Sequence, residues 1–264
     1  MIKTTNFFVI SNYNTDPTYL LKYCQNYIVY DQSDIEIFDI EKTKLNFERT
    51  KHSGHNITDY FKFFIEHYDN LPEFICLIKG NIIGRHLTKE YFDKVYNNNY
   101  YTFLYEDNKN PINYKKNVFY KISESEFLEI NNSWYVSRHP HKYFINFNDL
   151  LKFIYKSPIL PKYCLFAPGA CYIVSKFQVK KNSKEFYLNL NKILSYTLIP
   201  KFPSEAHQIE RMLHLIFTCN YEVNEHMNDL KSFDIELNKF IIKNPPNLKM
   251  NKIEFIKKVI SKFY

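Results

Sequence analysis

Along the first hundred residues, short continuous apolar runs alternate with segments whose apolar residues return every three or four positions. Residues 6–11 (Asn6-Phe7-Phe8-Val9-Ile10-Ser11) and 73–78 (Glu73-Phe74-Ile75-Cys76-Leu77-Ile78) have strand length, and the second run predicts a strand buried on both faces of a parallel sheet. Between them, Tyr60, Phe61, Phe64, Ile65 and Tyr68 keep a helical period, which predicts an amphipathic helix over 58–68 that stops before Leu71-Pro72. Residues 18–25 read as a short helix, 27–30 as a second strand, 88–95 as a helix and 101–105 as extended chain. Strand–helix–strand alternation of this kind predicts an α/β fold with right-handed crossovers and a doubly wound sheet.

Further on the pattern loosens. Residues 107–116 form a polar stretch, 120–144 keep no clean period, and Asn148-Asp149 can cap a helix reaching about Tyr155. Two strand-like runs, 164–166 and 171–175, flank Ala167-Pro168-Gly169-Ala170. Phe186, Leu190, Ile193 and Leu194 share one face of a predicted helix over 185–196, and the best-marked helix, 204–217, follows Pro200 and Pro203. Past Asn220 the character changes: Lys-rich amphipathic helices over 230–242 and 252–263 are separated by Asn244-Pro245-Pro246-Asn247. The expected organisation is an α/β unit over 1–228 and a helical tail over 229–264. That tail can either lie on an anionic membrane surface or pack against its own domain.

Composition narrows the reading. The chain has 264 residues, a formal net charge of +7, 18% aromatic residues and only 4 glycines. A glycine retained in so glycine-poor a chain marks a place where a Cβ is hard to accept. Three of the four fall in Ser53-Gly54-His55-Asn56 and Lys79-Gly80-Asn81-Ile82-Ile83-Gly84-Arg85-His86, loops that flank one helix–strand unit and read as the rim of a site. Five widely spaced cysteines suggest neither a disulfide framework nor a zinc ribbon, and with them a reduced, cytoplasmic setting is expected. No apolar run approaches the length of a membrane span, and Met1 to Ile10 reads as a strand rather than a signal peptide. The positive charge suits phosphorylated small molecules or anionic lipid. No basic block, RNP-like signature or zinc finger accompanies it, so nucleic acid is not an expected partner.

The helix over 204–217 concentrates ionisable groups. With Ser204 as its N-cap, Ala206, Ile209, Leu213 and Ile216 form a buried stripe, while His207, Glu210, Arg211 and His214 share another face. That second face reads either as a catalytic wall or as a solvated face with an internal Glu–Arg pair. Glu205 lies in the first turn, where the helix dipole favours an ionised carboxylate.

Four segments occur in order: Val9-Ile10-Ser11-Asn12-Tyr13-Asn14; Asp59-Tyr60-Phe61 through Leu71-Pro72 into Lys79-Gly80-Asn81 and His86; Pro168-Gly169-Ala170-Cys171-Tyr172-Ile173-Val174-Ser175; and Glu210-Arg211 with His214-Leu215-Ile216-Phe217. Over about residues 6–218 they resemble a family of bacterial and fungal proteins of unassigned activity, related in pattern to glycosyltransferases of the GT-A fold. The resemblance implies a GT-A-like twisted, mostly parallel sheet flanked by helices, with the nucleotide across the carboxyl ends of the first strands. It further implies that Tyr13, Asn14 and Asp31 contact base and ribose, and that His55, Asn56 and Asp59 border the nucleotide. Lys79-Gly80-Asn81 stands where the GT-A pattern has an Asp-x-Asp metal motif. The leaving diphosphate would then be neutralised either by Mn²⁺ or Mg²⁺ arriving with the nucleotide sugar or by Lys79, Arg85 and His86 as fixed cations. No metal ligand is assigned; Asp107, in Glu106-Asp107, is the acidic residue that would restore such a site.

The resemblance also implies that Pro168, Gly169, Ala170, Arg211 and His214 lie on the acceptor side. Glu205 would be the first candidate for the base that deprotonates the acceptor, with Glu210 second and His207 beside them. The expected function is a glycosyltransferase moving a sugar from a nucleotide-diphosphate donor to a glycan acceptor in bacterial surface (capsular or lipooligosaccharide) polysaccharide synthesis. Its expected location is cytoplasmic, with peripheral membrane contact through the C-terminal helices. A nucleotidyl- or phosphoryl-transferase on the same scaffold and a non-catalytic lipid- or partner-binding module are the competing readings.

Overall fold

A computed structural model describes residues 3–34, 45–51, 54–106, 119–121, 127–132, 141–196 and 204–242. Asp107 and the helix expected over 252–263 lie outside the described residues. Numbering the described elements in chain order, β1 is Thr4–Asn12, β2 Cys24–Asp31, β3 Phe47–Arg49, α1 His55–Glu66 and β4 Phe74–Lys79. Then come α2 Lys89–Val95, β5 Thr102–Phe103, β6 Phe119–Lys121, β7 Phe127–Ile130, α3 Phe147–Ile154, β8 Tyr163–Phe166 and β9 Tyr172–Ser175. The described chain finishes with α4 Lys176–Lys180, α5 Lys184–Leu194, α6 Ser204–Thr218 and α7 Leu230–Asn238.

Six strands form the main sheet in the order β3-β2-β1-β4-β9-β5, and β6-β7-β8 form a second sheet. β1 pairs in parallel with both β2 and β4, and β2 in parallel with β3. β9 runs antiparallel to β4 and to β5, so the sheet is mostly parallel rather than wholly so. The apolar runs follow from double burial. Phe8 and Ile10 of β1, with Cys76 and Ile78 of β4, face a core completed by Leu20, Tyr23, Leu87 and Phe92. Val9, Ile75 and Leu77 face the opposite core with α1, α5 and α6 residues such as Phe61, Phe64, Leu190 and Ile209. A strand covered on both sides has no polar face to alternate, and burying each large side chain contributes about 1.5–3 kcal/mol.

Several expectations shift. The helix expected over 18–25 shrinks to a 3-10 turn, Thr18–Leu20, because β2 starts at Cys24, which pairs with Thr4 and is buried. α3 is capped by Asn146, whose side chain accepts the Asp149 N–H at 2.9 Å, rather than by Asn148-Asp149. β3, β6, β7 and α4 carry too little periodicity to be read from sequence. Ser204 is the first helical residue of α6. α7 sends Phe233 and Leu237 into the core shared with α3 and α5, so this part of the expected tail packs on the domain. Among the described residues no helix is long and apolar enough to cross a membrane.

Chain direction sets where a ligand crevice is expected. From β1 the chain first moves one way across the sheet to β2 and β3, then places β4 on the other side of β1. The strand order therefore reverses between β1 and β4, and open α/β sheets bind ligands outside the carboxyl ends at such a point. Ser11 is in register with Lys79 there, and Asn12 with Asp31.

Candidate functional site

The carboxyl ends of β1, β2 and β3 are welded by buried polar side chains. Asn12 Nδ2 donates to Asp31 Oδ1 at 2.9 Å, and Asp31 also accepts the Ser33 hydroxyl and pairs with Arg49 at 2.5 Å. Beneath them, Asp59 of α1 accepts from Ser11 Oγ at 2.5 Å, Gln32 Nε2 at 2.7 Å and Thr50 Oγ1 at 2.9 Å. Asp31 and Asp59 are each 1% exposed. This corrects their expected role: both carboxylates are committed to holding strand ends and loops together. Gly80 follows β4 so closely against β1 that a Cβ there would lie 2.1 Å from Asn12 Oδ1. Tyr13 and Asn14 rise above this floor. Tyr13 is 39% exposed, and its hydroxyl donates to Asp34 at 2.8 Å. Asn14 takes a positive φ and bonds the Ser33–Asp34 loop through its N–H and its Oδ1.

On the other side of β4, elements distant in sequence meet around Gly169. The Gly169 N–H donates to Glu210 Oε1 at 2.6 Å, and the Gly169 carbonyl accepts from Asn56 Nδ2 at 2.9 Å and from the Cys171 thiol at 3.3 Å. Asn56 also reaches the Tyr60 hydroxyl. Glu210 lies 4.0 Å from His207 Nδ1, and the His207 ring sits 5.1 Å from that of His55, the first residue of α1. His55 holds φ +56, a left-handed conformation that a non-glycine residue adopts at a cost of order 1–3 kcal/mol. Gly169, at φ +95, has the His86 ring packed where a Cβ would stand, 2.7 Å away. His86 Nε2 is buried there and finds no hydrogen-bond partner among the described residues.

Lys79 ends β4 beside this ring of contacts. Among the described residues its ammonium makes no hydrogen bond and no ion pair. Burial lowers its pKa and the positive charge of Arg85 adds to that, against the raising influence of Cys171 and the Glu210 carboxylate. Burial, together with the charges of Lys79 and Arg85, pushes the His86 imidazole down to about 3, so it stays neutral at physiological pH. Burial alone would raise the Glu210 carboxyl, but His207, Arg211 and Lys79 outweigh it and hold it well below the usual carboxylate range. Glu210 is therefore an ionised anchor, and a carboxylate so strongly held is a weak base.

Two sequence expectations fail here, those for Glu205 and Arg211. Glu205 is fully buried, and its carboxylate accepts the backbone N–H groups of Lys142 (3.0 Å), Tyr143 (2.8 Å) and Phe144 (3.3 Å) as well as the Tyr196 hydroxyl. It pins the 142–144 segment and is not positioned as an acceptor base. Arg211 is 5% exposed; its guanidinium pairs with Glu129 at 2.6 Å and Glu210 at 3.0 Å and lies 4.7 Å over the Phe166 ring, so it is a structural cation rather than an acceptor contact. His214 packs against Phe103 and Tyr101, with its Nδ1 3.2 Å from the Tyr101 hydroxyl, one helical turn beyond Glu210. As to the solvated alternative for this helix face, α6 is buried at His207 and Arg211 as well as along its apolar stripe.

The other positions follow β4 or lie in the Gly169 loop before β9. Arg85 is exposed, Asn81 precedes the turn that carries it, and Pro168 and Ala170 flank Gly169, with Ala170 fully packed at φ +58. Sequence reasoning missed Ser11, Asn12, Gln32, Thr50, Tyr60, Cys171 and Glu129. The signal available for the first three was polar residues directly after apolar strand runs; Glu129 had none, being a lone acid in an irregular stretch.

Asp59 gives the site a pH signature. Burial raises its pKa to about 7 against the pull of its three donors, with the Asp31 charge adding to the rise. An aspartate in the unfolded chain titrates near 3.9, so between about pH 4 and pH 7 the folded state holds a proton that the unfolded state has lost. Stability from this group is complete below that window and declines as pH rises through it. Urea unfolding at successive pH values is expected to show Asp59→Asn gaining on the wild type by up to about 4 kcal/mol across the window. A constant difference would contradict this.

A family model described as a protein of unknown function (DUF3431) matches residues 9–229, and the chain belongs to that family. No curated protein and no solved structure matches it.

Proposed function

From the reversal of strand order between β1 and β4 and the residues gathered there, we propose that the protein is a transferase that takes a sugar from a nucleoside-diphosphate donor to a glycan acceptor. The observation that carries this reading is Lys79, a half-buried lysine whose ammonium makes no hydrogen bond or close ion pair among the described residues, at the carboxyl end of β4 where the strand order reverses. A half-buried charge only partly offset by a more distant carboxylate is costly to the fold and is retained most readily where a ligand supplies the opposite charge. A diphosphate offers that charge. Tyr13, exposed on the β1 loop, offers a face for the base, and the Gly169 loop, tied to Asn56 and Glu210, borders the sugar and acceptor side. The GT-A relationship, the surface-polysaccharide product and a membrane-facing tail belong to this proposal.

Calorimetric titration with uridine, guanosine and cytidine diphosphates, their sugars and inorganic pyrophosphate tests it. At least one nucleoside diphosphate is expected to bind more tightly than pyrophosphate, and turnover is expected to release free nucleoside diphosphate. Binding of pyrophosphate with no gain from any nucleoside would leave an anion site and remove the nucleotide. Release of pyrophosphate during turnover would point to nucleotidyl transfer instead.

A further inference from the structure

A nucleoside diphosphate must have its charge neutralised before it can leave, either by a divalent ion held on carboxylates or by fixed cations. Four acidic side chains at this edge of the sheet are already committed to donors. Asp31 is taken by Arg49, Asn12 and Ser33. Asp59 is taken by Ser11, Gln32 and Thr50. Glu210 is taken by the Gly169 N–H and Arg211. Glu106 accepts both the N–H and the hydroxyl of Thr88 and so holds the start of α2. Hard divalent cations need oxygen ligands that are not already committed to donors, and among the described residues no group of three His, Cys, Asp or Glu side chains is arranged to hold a metal. Among the described residues, therefore, Mn²⁺ or Mg²⁺ finds no set of uncommitted carboxylates that fits it.

Positive charge, by contrast, is built into the chain. Lys79 occupies the end of β4, with its backbone locked in register against Ser11, and Arg85 follows on the next turn, close enough for its charge to act on Lys79. Gly80, which a Cβ would push into Asn12, keeps this lysine tight against β1 and the crevice floor. We infer that this site binds a diphosphate without a divalent metal ion, Lys79 being the fixed cation that neutralises it and Arg85 the second charge at the rim. The inference rests on the nucleoside-diphosphate reading above and assigns its cation.

Titration of the full chain with uridine, guanosine and cytidine diphosphates, each in excess EDTA and again with Mn²⁺ or Mg²⁺, tests it. For whichever of them binds, the dissociation constant is expected to change by no more than about twofold between the two conditions. Lys79→Met is expected to weaken binding about 10- to 100-fold, the size of a charge-assisted hydrogen bond, and Lys79→Arg to restore part of it. Tightening by tenfold or more on adding the metal, with the nucleotide bound, would overturn the inference and leave the transferase reading standing. Undiminished binding by Lys79→Met would also overturn it. If none of these nucleoside diphosphates binds in either condition, the transferase reading falls as well.

Discussion

Lys79→Met is expected to make the ligand-free protein more stable while removing most of its affinity for nucleoside diphosphates. A lysine placed for structural reasons would behave in the opposite way, since its loss would break an ion pair or a hydrogen bond. Lys79 has neither among the described residues, and burial lowers its pKa, so the folded state pays for its charge. Methionine keeps the length and apolar stem of the side chain and deletes the ammonium. The expected gain is about 1–2 kcal/mol in the ligand-free state, in the range seen when a poorly compensated buried charge is replaced by an apolar residue. Chemical denaturation with and without a saturating nucleoside diphosphate separates the two effects: the wild type is stabilised by ligand and the variant is not. A ligand-free variant less stable than the wild type would show that Lys79 holds the fold.

Arg211→Met is expected to cost about 3–5 kcal/mol, because it removes the guanidinium that pairs with the buried Glu129 carboxylate. Arg211 and Glu129 are 5% and 0% exposed, and their closest approach is 2.6 Å. The pair joins α6 to β7 of the second sheet, while the second Arg211 contact, to Glu210, joins it to the Gly169 loop. The same substitution is therefore expected to loosen the crevice wall. A double variant, Arg211→Met with Glu129→Leu, removes both charges and is expected to recover most of the lost stability. Equal stability of Arg211→Met and wild type in urea would rule out this account of the pair.

Much of the main sheet could be read from the chain because its strands are covered on both sides. Asn6 to Ser11 and Phe74 to Ile78 have no polar face, and α1 carries its core face at a clear helical period. The second sheet could not be read in this way: β7 buries Glu129 opposite Cys164, a position whose burial depends on Arg211, 82 residues away in sequence. The direction of β9 was equally hidden, since an apolar run of four residues fits a parallel or an antiparallel neighbour alike.

The candidate site was legible in part for a similar reason. Gly80 and Gly169 marked it, because in each case a Cβ would collide with a neighbouring residue, Asn12 or His86. Lys79 stood out as a charge at the end of an apolar strand. The reading of Glu205 went astray because a carboxylate at the start of a helix has one sequence signature and two uses. Facing a crevice it serves chemistry; facing the backbone N–H groups of 142–144 it serves the fold. Only tertiary placement separates them. Asp31 and Asp59 were misassigned on the same ground, since their position at strand and helix ends is right while their oxygens are already occupied.

The central claim is that the β1–β4 crevice grips a diphosphate through Lys79. A crystal structure of the protein with a bound nucleoside diphosphate tests it most directly. Phosphate oxygens are expected about 3 Å from Lys79 Nζ, with the base lying toward Tyr13. A nucleotide bound elsewhere on the molecule, with Lys79 still without a partner, would contradict it.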